Sequence, residues 1–576
     1  MVNAGKIQCF GRAIAIALRR GIPLFLISQA SLVPSSIATT QTKAFSRQED
    51  TTVIPAQAGI QANHFGFDQN NLFQRSPKLY RPKQSHFNQL AQKLESASAQ
   101  GICPAQLPAA IEAIFRTPNW QRSRWGILIQ TQAAVPGESS QTLYANAAKE
   151  YFIPASTAKL FVAAAALQHL GPNFRFRTSA LVEAGSPTNS QDLVLRIRGR
   201  GDPSLTNTQL DRLAQTLYQK GIRHIQRLLV EQDYFRTPAT PSTWEWGDLL
   251  FSYAPPINSL ILNQNAVQLT LKPQASGQSL QIRWADPLAA NQWQIDNQTQ
   301  TTQSSSSRWL QIASQPGSPI LRLTGQLPSN AVPISRTLTL RDPDTYFLQH
   351  LQQALAQAQI SVEEASLVSQ TLSINRLKEI AWIESLPLSQ LLKEVNQSSN
   401  NLYAEAILRS LGTDSDNGSA RISQAGRQPS ALNQGLKTLE VTLSTLSVDS
   451  QSYQLVDGSG LSRHNRVSPE ALVQVLQGIA RSPYAEKFRG SLAVSGETGT
   501  LKNRFLNTDA EGIILGKTGT MSHTVSLAGY AEPPNYQPLV FSIIVNQSEQ
   551  SIAETRQTID TIVQVLALLK TCNDSL

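Results

Sequence analysis

The feature that most constrains the fold of this 576-residue chain is a change of pattern between residues 180 and 385. In that stretch, short runs of alternating apolar and polar residues, separated by turn clusters, predict a β-rich block; examples lie at 192–198, 279–284 and 320–324. On either side of it, apolar residues recur with helical periodicity between a few longer strands. Similar elements at both ends of a different middle indicate an α+β domain interrupted by an insertion.

The two flanking parts contain a predicted framework of helices and strands. In the first part we expect a helix at 105–116, paired strands at 124–131 and 141–146, and a helix from Ser156 to about Gly171. In the second part we expect helices at 386–395, 402–411 and from Ser468 onward, strands at 512–515, 525–530 and 539–545, and a closing helix at 552–570. The predicted boundaries are therefore 99–180 and 386–576 for the interrupted domain and 181–385 for the insertion.

The first 98 residues have a different composition. Four basic residues within the first twenty precede an apolar run, and small residues at 36–38 follow it, which is the pattern of a secretory signal peptide (1–38) cleaved after Ala38. The alternative is an uncleaved segment that keeps the protein associated with a membrane. Residues 39–98 are rich in Gln, Asn, Ser, Thr and Pro and predict a polar low-complexity leader. We therefore expect an exported, periplasmic protein.

Charge and cysteine content exclude several classes of function. The net charge of +9 is not gathered into a dense Lys/Arg run with interleaved aromatic residues, so nucleic-acid binding is not predicted. The cysteines stand at positions 9, 103 and 572, and neither a Cys-x-x-Cys pair nor a His/Cys cluster with metal-ligand spacing occurs. The sequence predicts neither a metal site nor an organic cofactor.

The segment at 151–160 contains a candidate nucleophile and its base. Ser156 and Lys159 have the spacing Ser-x-x-Lys at the start of a predicted helix, where residues three apart share a face. A serine hydroxyl is a weak nucleophile unless a neighbour takes its proton, and a buried lysine with a lowered pKa can do so. The pair alone is weak support, because these residues are common and the gap is short.

Two further motifs complete a set. Ser399-Asn400-Asn401 lies between two predicted helices, and Lys517-Thr518-Gly519-Thr520 follows the strand predicted at 512–515. Ser-x-x-Lys, Ser-x-Asn and Lys-Thr-Gly occur together, in this order, in penicillin-binding proteins and class A β-lactamases. Taken singly, the second motif is equally well a helix cap and the third a turn. The similar segment Thr498-Gly499-Thr500 is left out because Glu497 stands where the lysine belongs.

Each residue of the set has a chemical task that suits acyl transfer. Ser399 can relay a proton to a leaving amine, and Asn401 can hydrogen-bond a substrate amide. Lys517 supplies a fixed positive charge and Thr518 a hydroxyl for a terminal carboxylate. Gly519 lets a peptide lie close to its strand. The N–H groups of Ser156 and Thr520 are candidates for the oxyanion hole.

The chain resembles the low-molecular-mass class C penicillin-binding proteins, the D-alanyl-D-alanine carboxypeptidase/endopeptidase family. The resemblance covers roughly residues 100 to 570 and extends beyond the three motifs. Other similar segments are Gly199-Arg-Gly-Asp-Pro-Ser-Leu205, Trp244-Glu-Trp246, Tyr253-Ala-Pro-Pro256, Ser399-Asn-Asn-Leu-Tyr-Ala-Glu405, Asp457-Gly-Ser-Gly-Leu-Ser462 and Gly499-Thr-Leu-Lys-Asn-Arg-Phe505. In the second motif, Asn400 occupies a position that is Asp or Asn in the family.

The resemblance implies a fold and a reaction. The fold is that of the penicilloyl-serine transferases (β-lactamase/transpeptidase-like), an antiparallel five-stranded sheet flanked by helices with domains inserted after the first motif. Ser156 would attack a D-Ala–D-Ala carbonyl, or a D-Ala cross-link, in a peptidoglycan stem peptide, and water would hydrolyse the acyl-enzyme. β-Lactams would acylate the same serine and leave slowly. No metal or organic cofactor takes part.

The resemblance also carries two predictions outside the motifs. In the segment 230–235, Glu231, or failing that Asp233, matches an acidic residue that meets the stem peptide; the alternative for either is a solvated loop acid. The terminal helices of the family fold lie side by side, which together with export implies a Cys103–Cys572 disulfide. The alternative is a buried Cys103 and a free Cys572.

Two other functions remain open. A serine β-lactamase would share Ser156, Lys159 and Lys517, but the sequence contains no matching glutamate motif to activate a deacylating water. An inactive envelope-binding protein could keep the fold, although the intact motifs argue against it. The sequence leaves undetermined the balance of carboxypeptidase and endopeptidase action, the diamino acid of the substrate and the oligomeric state.

Overall fold

The computed structural model describes residues 53–54, 101–133, 138–187, 190–236, 238–315, 317–369, 376–413 and 430–572. The predicted signal peptide and, apart from Val53–Ile54, the predicted leader lie outside the described residues. The strands are β1 Val53–Ile54, β2 Arg124–Thr131, β3 Thr142–Asn146, β4 Arg177–Glu183, β5 Val194–Arg198, β6 His224–Glu231, β7 Ala266–Lys272, β8 Gln281–Trp284, β9 Gln294–Thr302, β10 Trp309–Ala313, β11 Ile320–Pro328, β12 Ile334–Thr339, β13 Ser361–Val368, β14 Leu377–Glu384, β15 Tyr453–Gln454, β16 Arg466–Val467, β17 Ala493–Val494, β18 Ile514–Met521, β19 Thr524–Ala531 and β20 Leu539–Asn546.

The helices in the same residues are α1 Leu107–Phe115, α2 Lys159–His169, α3 Asn207–Gln219, α4 Pro287–Ala290, α5 Pro343–Gln357, α6 Leu388–Asn396, α7 Asn401–Leu411, α8 Ala431–Thr445, α9 Pro469–Ala480, α10 Ala485–Arg489 and α11 Ile552–Ala567. In this part of the chain no helix has both the length and the apolar character needed to cross a membrane.

One sheet draws strands from both ends of the described chain. Its order is β17-β18-β19-β20-β2-β3, and every neighbouring pair is antiparallel. The strands predicted at 124–131, 525–530 and 539–545 are confirmed as β2, β19 and β20. Because β2 and β3 precede the middle of the chain and β17 to β20 follow it, this sheet closes only when the two flanking parts meet, as the interrupted pattern predicts.

Helices cover both faces of this sheet. Side chains alternate between the faces of a strand, and β20 is buried along its whole length. Val540 and Ile544 pack with α2 and α9 on one face, whereas Phe541, Ile543 and Val545 pack with α1 and α11 on the other. The predicted arrangement of an antiparallel sheet flanked by helices is confirmed.

The segment that precedes α1 is joined to the segment that follows α11. Ile102 N–H donates to the Leu568 carbonyl at 2.8 Å, and Lys570 N–H donates to the Ile102 carbonyl at 3.0 Å. A disulfide links Cys103 to Cys572, with their Cα atoms 5.6 Å apart. The predicted disulfide is confirmed, and the alternative of a free Cys572 is wrong.

The middle of the chain, joined by β1 from near its start, forms a second, mixed sheet of order β1-β14-β4-β5-β6-β13. It also forms two three-stranded sheets, β10-β11-β9 and β12-β7-β8. Strand β4 begins at Arg177 and belongs to the second sheet, so that sheet includes residues on both sides of position 181. Two long helices that the strand-like pattern hid, α3 and α5, pack on this sheet. Buried Leu210, Leu213, Ala214 and Leu217 give α3 its apolar face at helical spacing.

Candidate active site

The turn that contains Ser156 is held at the centre of the larger core. Ala155–Ala158 forms a 3-10 turn that leads directly into α2, so the predicted helix start is tighter than an α-helix. From Leu160 to Leu167 every residue of α2 is fully buried, which anchors the turn. In a 3-10 turn residues three apart are eclipsed. Lys159 Nζ accordingly lies 2.8 Å from Ser156 Oγ.

The surroundings of the Lys159 amine suit a proton acceptor. Lys159 is fully buried, and this burial lowers its pKa to about 7, against the opposing charges of Asp457 and Glu405. Its Nζ donates to Asn401 Oδ1 at 2.6 Å and to the Ser459 carbonyl at 2.5 Å. When those two acceptors hold the two N–H bonds of a neutral amine, the nitrogen lone pair is directed at Ser156 Oγ.

The second motif forms a bent connection between α6 and α7. Ser399 has a positive φ of 58°, and Asn400 caps α7 by accepting the N–H of Tyr403. The helix-cap interpretation therefore holds for Asn400, while Asn401 begins the helix and turns inward. Asn401 donates through Nδ2 to the Tyr253 carbonyl at 2.6 Å and accepts from Lys159 through Oδ1. Both ends of its amide are thus in use within the protein.

The third motif lies inside strand β18 rather than after the strand predicted at 512–515. Lys517 is fully buried, and its Nζ donates to Ser399 Oγ at 2.8 Å and to the Thr518 carbonyl at 2.7 Å. Burial, followed by the charge of nearby Lys159, lowers the pKa of Lys517 well below its ordinary value. The fixed positive charge at Lys517 stays a prediction, and both burial and the neighbouring amine disfavour its ammonium form.

Gly519 serves a different contact from the predicted one. A Cβ atom at this position would lie 2.7 Å from the Pro154 carbonyl oxygen and 3.0 Å from the Ser156 nitrogen. The missing side chain thus lets β18 pack against the Ser156 turn, while the close approach of a peptide stays a prediction. Thr520 follows on the same strand, which places its backbone close to the Ser156 turn, where the two candidate oxyanion donors are expected.

The segment excluded for lack of a lysine nevertheless contacts the third motif. Thr518 Oγ1 donates to Thr500 Oγ1 at 2.8 Å. The N–H of Thr500 donates to the Gln397 carbonyl at 3.1 Å, which ties this segment to the end of α6. The hydroxyls of Thr518 and Thr500 are therefore paired with each other, and the sequence predicted only the first of them as part of the site.

A fully buried group of charges behind Lys159 was not predicted. Glu405 lies one turn after Asn401 on α7, and Asp457 lies in the loop that ends at β16. Neither carries a signal in the sequence beyond its place in the segments that resemble the family. The negative charges of both residues oppose the effect of burial on the pKa of Lys159, which is lowered to about 7.

Glu231 takes part in a buried ion pair. It ends β6 and is 2% exposed, and its carboxylate accepts from Arg198 Nε at 2.6 Å and lies 3.5 Å from Arg196 Nη1. The solvated-loop alternative is wrong for this residue. Asp233 is half-buried two residues later, near Asp344. Contact of either acid with substrate stays a prediction.

The site combines a serine, a buried lysine base and two further motifs on a sheet flanked by helices, which defines an enzyme of serine-based acyl transfer. The profile of the D-Ala-D-Ala carboxypeptidase 3 (S13) family matches residues 107–568. The chain belongs to this family of serine-type carboxypeptidases.

Individual relatives agree with this membership. The D-alanyl-D-alanine carboxypeptidase of Actinomadura sp. (strain R39) is 30% identical over 464 residues, which are 78% of this chain and 82% of that protein. The penicillin-sensitive carboxypeptidase A of Dictyostelium discoideum is 27% identical over 475 residues, covering 78% and 87% of the two chains. The crystal structure of penicillin binding protein 4 (dacB) from Haemophilus influenzae superimposes with a TM-score of 0.67 at 22% identity, covering 80% of this chain and 98% of that one. The predicted fold is confirmed.

Proposed function

We propose that this protein is a serine DD-peptidase that hydrolyses D-Ala–D-Ala termini and D-Ala cross-links of peptidoglycan through an acyl-enzyme on Ser156. One observation carries the proposal: the buried Lys159 amine, held by Asn401 and the Ser459 carbonyl, lies 2.8 Å from Ser156 Oγ. A pKa of about 7 leaves a substantial part of this amine neutral at neutral pH. It can therefore accept the serine proton without a third titrating group.

Acylation begins with attack of Ser156 Oγ on the carbonyl carbon of the penultimate D-Ala. The hydroxyl proton passes to Lys159 Nζ, and the carbonyl oxygen becomes an oxyanion that the N–H groups of Ser156 and Thr520 stabilise. As the tetrahedral intermediate collapses, the C–N bond breaks and its nitrogen takes the proton that Lys159 had accepted, relayed through the Ser399 hydroxyl, so that Lys159 is neutral again. Ser399 is placed for this relay by its hydrogen bond with Lys517 at 2.8 Å.

Deacylation repeats the sequence with water as the nucleophile. Lys159 takes a proton from the attacking water, and the acyl–oxygen bond to Ser156 breaks to release the shortened peptide and the free hydroxyl. A β-lactam would acylate Ser156 in the same way, but its leaving amine stays tethered to the acyl group. That amine obstructs the approach of water, so the adduct persists.

Binding of the substrate's terminal carboxylate involves Lys517 together with the hydroxyls of Thr518 and Thr500. Burial lowers the pKa of Lys517 and so disfavours its ammonium form. A bound carboxylate favours the ammonium form, because an opposite charge raises the pKa of an amine. The carboxylate thus offsets the cost of burying a charge at Lys517, which disfavours peptides that lack it.

Export to the periplasm places the enzyme beside its substrate, and the signal-like segment 1–38 supports this part of the proposal. The proposal also keeps the predicted domain boundaries, which are 99–180 and 386–576 for the catalytic domain and 181–385 for the insertion. The competing function is hydrolysis of β-lactams. The lifetime of the penicilloyl adduct distinguishes the two functions, because a β-lactamase would hydrolyse it rapidly whereas the proposed peptidase would retain it.

The test combines labelling with product analysis. Fluorescent penicillin is expected to label the purified protein stably, whereas Ser156→Ala should remain unlabelled with an unchanged melting temperature. Digestion of purified muropeptides, followed by mass spectrometry, should show loss of one D-Ala from monomers and conversion of dimers to monomers. Labelling of Ser156→Ala, or rapid turnover of penicillin by the wild type, would contradict the proposal.

A further inference from the structure

The backbone of residues 458–460 is shaped by two buried carboxylates. Glu405 Oε1 accepts the N–H groups of Gly458 and Ser459 at 2.8 and 2.9 Å. Asp457 accepts the N–H of Gly460 at 2.9 Å. Together these bonds fix the peptide that follows Ser459, and its carbonyl is the one that holds Lys159 Nζ at 2.5 Å.

Asp457 also joins this loop to two other parts of the chain. Its carboxylate accepts Trp244 Nε1 at 2.9 Å, the Ser462 N–H at 2.7 Å and Asn465 Nδ2 at 2.7 Å. With the N–H of Gly460, four donors share its two oxygens. Asp457 therefore holds the loop, and its charge raises the pKa of Lys159 together with that of Glu405.

Glu405 has a connection of its own to the base. It shares α7 with Asn401, the second residue that holds Lys159, and follows it by one helical turn. Its other oxygen, Oε2, accepts Arg409 Nη1 at 2.7 Å. Burial, followed by the charge of Asp457, raises the pKa of Glu405. All three of its contacts nevertheless come from N–H donors, and these favour the ionised carboxylate.

We propose that Glu405 is a positioning residue for Lys159: it fixes the Ser459 carbonyl that holds the amine, and its negative charge stabilises the ammonium formed when Ser156 gives up its proton. This inference rests on the proposed function. The charged groups that face Lys159 are Glu405 on α7, Asp457 in the loop and Lys517 on β18. Lys517 acts against the ammonium, so the two carboxylates are needed to offset it.

The test is the pH dependence of acylation by fluorescent penicillin. Glu405→Gln keeps an oxygen that can accept the N–H groups of Gly458 and Ser459 but removes the charge. In the wild type the rate should rise with pH through about 7, as Lys159 loses its proton. In Glu405→Gln the rise should move down by about 1 pH unit, the low end of the effect of one nearby opposite charge, and the plateau should be lower. Glu405→Ala, which also frees the Ser459 carbonyl, should lose about 100-fold at every pH.

Two further variants separate positioning from stability. Because Glu405→Gln leaves Arg409 buried without its ion pair, Glu405→Gln/Arg409→Met removes both members and keeps the acceptor oxygen. Ile562→Ala, fully buried on α11 against the opposite face of the sheet, lowers stability without touching the site. It should melt earlier but keep the wild-type pH profile.

Each outcome decides a separate point. A downward shift in Glu405→Gln, or in the double variant, supports the proposal. An unshifted profile in either folded variant overturns it, as would the same shift in Ile562→Ala. Failure of the wild type to react with penicillin would instead overturn the proposed function.

Discussion

Replacing Gly519 by alanine tests whether strand β18 must pack directly on the Ser156 turn. The added Cβ would lie 2.2 Å from Ser526 Oγ and 2.7 Å from the Pro154 carbonyl oxygen, closer than Cβ atoms approach other heavy atoms in real structures. The Ser526 hydroxyl donates to that same carbonyl at 2.7 Å, so rotating it away breaks a buried hydrogen bond. The backbone at Pro154 then also has to retreat until the contact reaches at least 3.0 Å.

Two effects follow from this displacement. Overpacking of a buried contact costs about 1–3 kcal/mol of unfolding free energy. Ser156 moves with Pro154, and because a misplacement of about 1 Å can cost about 100-fold in rate, we expect penicillin acylation to slow by about 10-fold or more. The loss of rate should exceed what the loss of stability explains, since the protein stays folded at assay temperature.

The assay is time-resolved labelling with fluorescent penicillin beside urea denaturation of each variant. Gly516→Ala is the matched control on the same strand, because its Cβ would meet nothing closer than Leu527 Cδ1 at 3.1 Å, the end of a flexible side chain. Adding Ser526→Gly to Gly519→Ala removes the closest contact and should recover part of the stability. A Gly519→Ala protein with wild-type stability and wild-type acylation would refute the packing argument.

Two other predictions concern the base and the disulfide. The acylation rate should increase with pH through a midpoint near 7, because the lowered pKa of Lys159 makes the amine neutral above that value; a midpoint near the ordinary lysine pKa would show that burial does not act on this group. Cys103→Ser or Cys572→Ser should cost about 2–5 kcal/mol in denaturation experiments while penicillin labelling persists, because the link spans 469 residues and lies beside α1 and α11. Denaturation midpoints equal to that of the wild type in both variants would contradict a stabilising link.

The candidate site could be predicted from the sequence because its chemistry lies in short motifs. Ser156 and Lys159 meet within one turn, which their spacing alone dictates. The hydrogen bonds from Lys159 to Asn401 and from Lys517 to Ser399 join residues 242 and 118 positions apart. No local pattern encodes those contacts, and only the joint occurrence of the three motifs indicated them.

The end of strand β18 shows why local patterns mislead near the site. Gly516 and Gly519 have low β propensity, so the apolar pattern seemed to end at Leu515. The strand nevertheless continues to Met521, because β19 pairs with it along its full length. Pairing with a neighbour thus overrides propensity at the third motif.

The buried carboxylates were missed for a related reason. Glu405 in a helix and Asp457 in a Gly/Ser loop have the sequence context of exposed residues, since carboxylates are rarely buried unless paired. Both residues become buried only when α7 packs against the loop that contains Asp457. Gly458 of this loop, whose N–H donates to Glu405, is 53 residues from Glu405 in the sequence. The sequence context of Glu231 likewise did not indicate burial, because its partner Arg198 lies on a neighbouring strand 33 residues earlier.

Unfavourable local features gather around Ser156. Ala155 is fully buried with a positive φ of 50°, and Ser399 has a φ of 58°, conformations that cost non-glycine residues about 1–3 kcal/mol each. Two amines, Lys159 and Lys517, are buried with lowered pKa values. Such strained conformations and buried amines persist only where the surrounding contacts hold them in place.

The enforcing contacts can be identified for the Ser156 turn. A Cβ at Gly460 would lie 1.9 Å from the Ala155 carbonyl oxygen, so that loop packs on the turn from one side as Gly519 does from the other. The loop and the strand hold the Ala155 conformation between them, and this conformation aims Ser156 at Lys159. Because Gly460 directly follows Ser459, a single loop both strains the nucleophile's turn and holds the base. Relaxing either contact should therefore stabilise the backbone locally while it separates Ser156 from its proton acceptor.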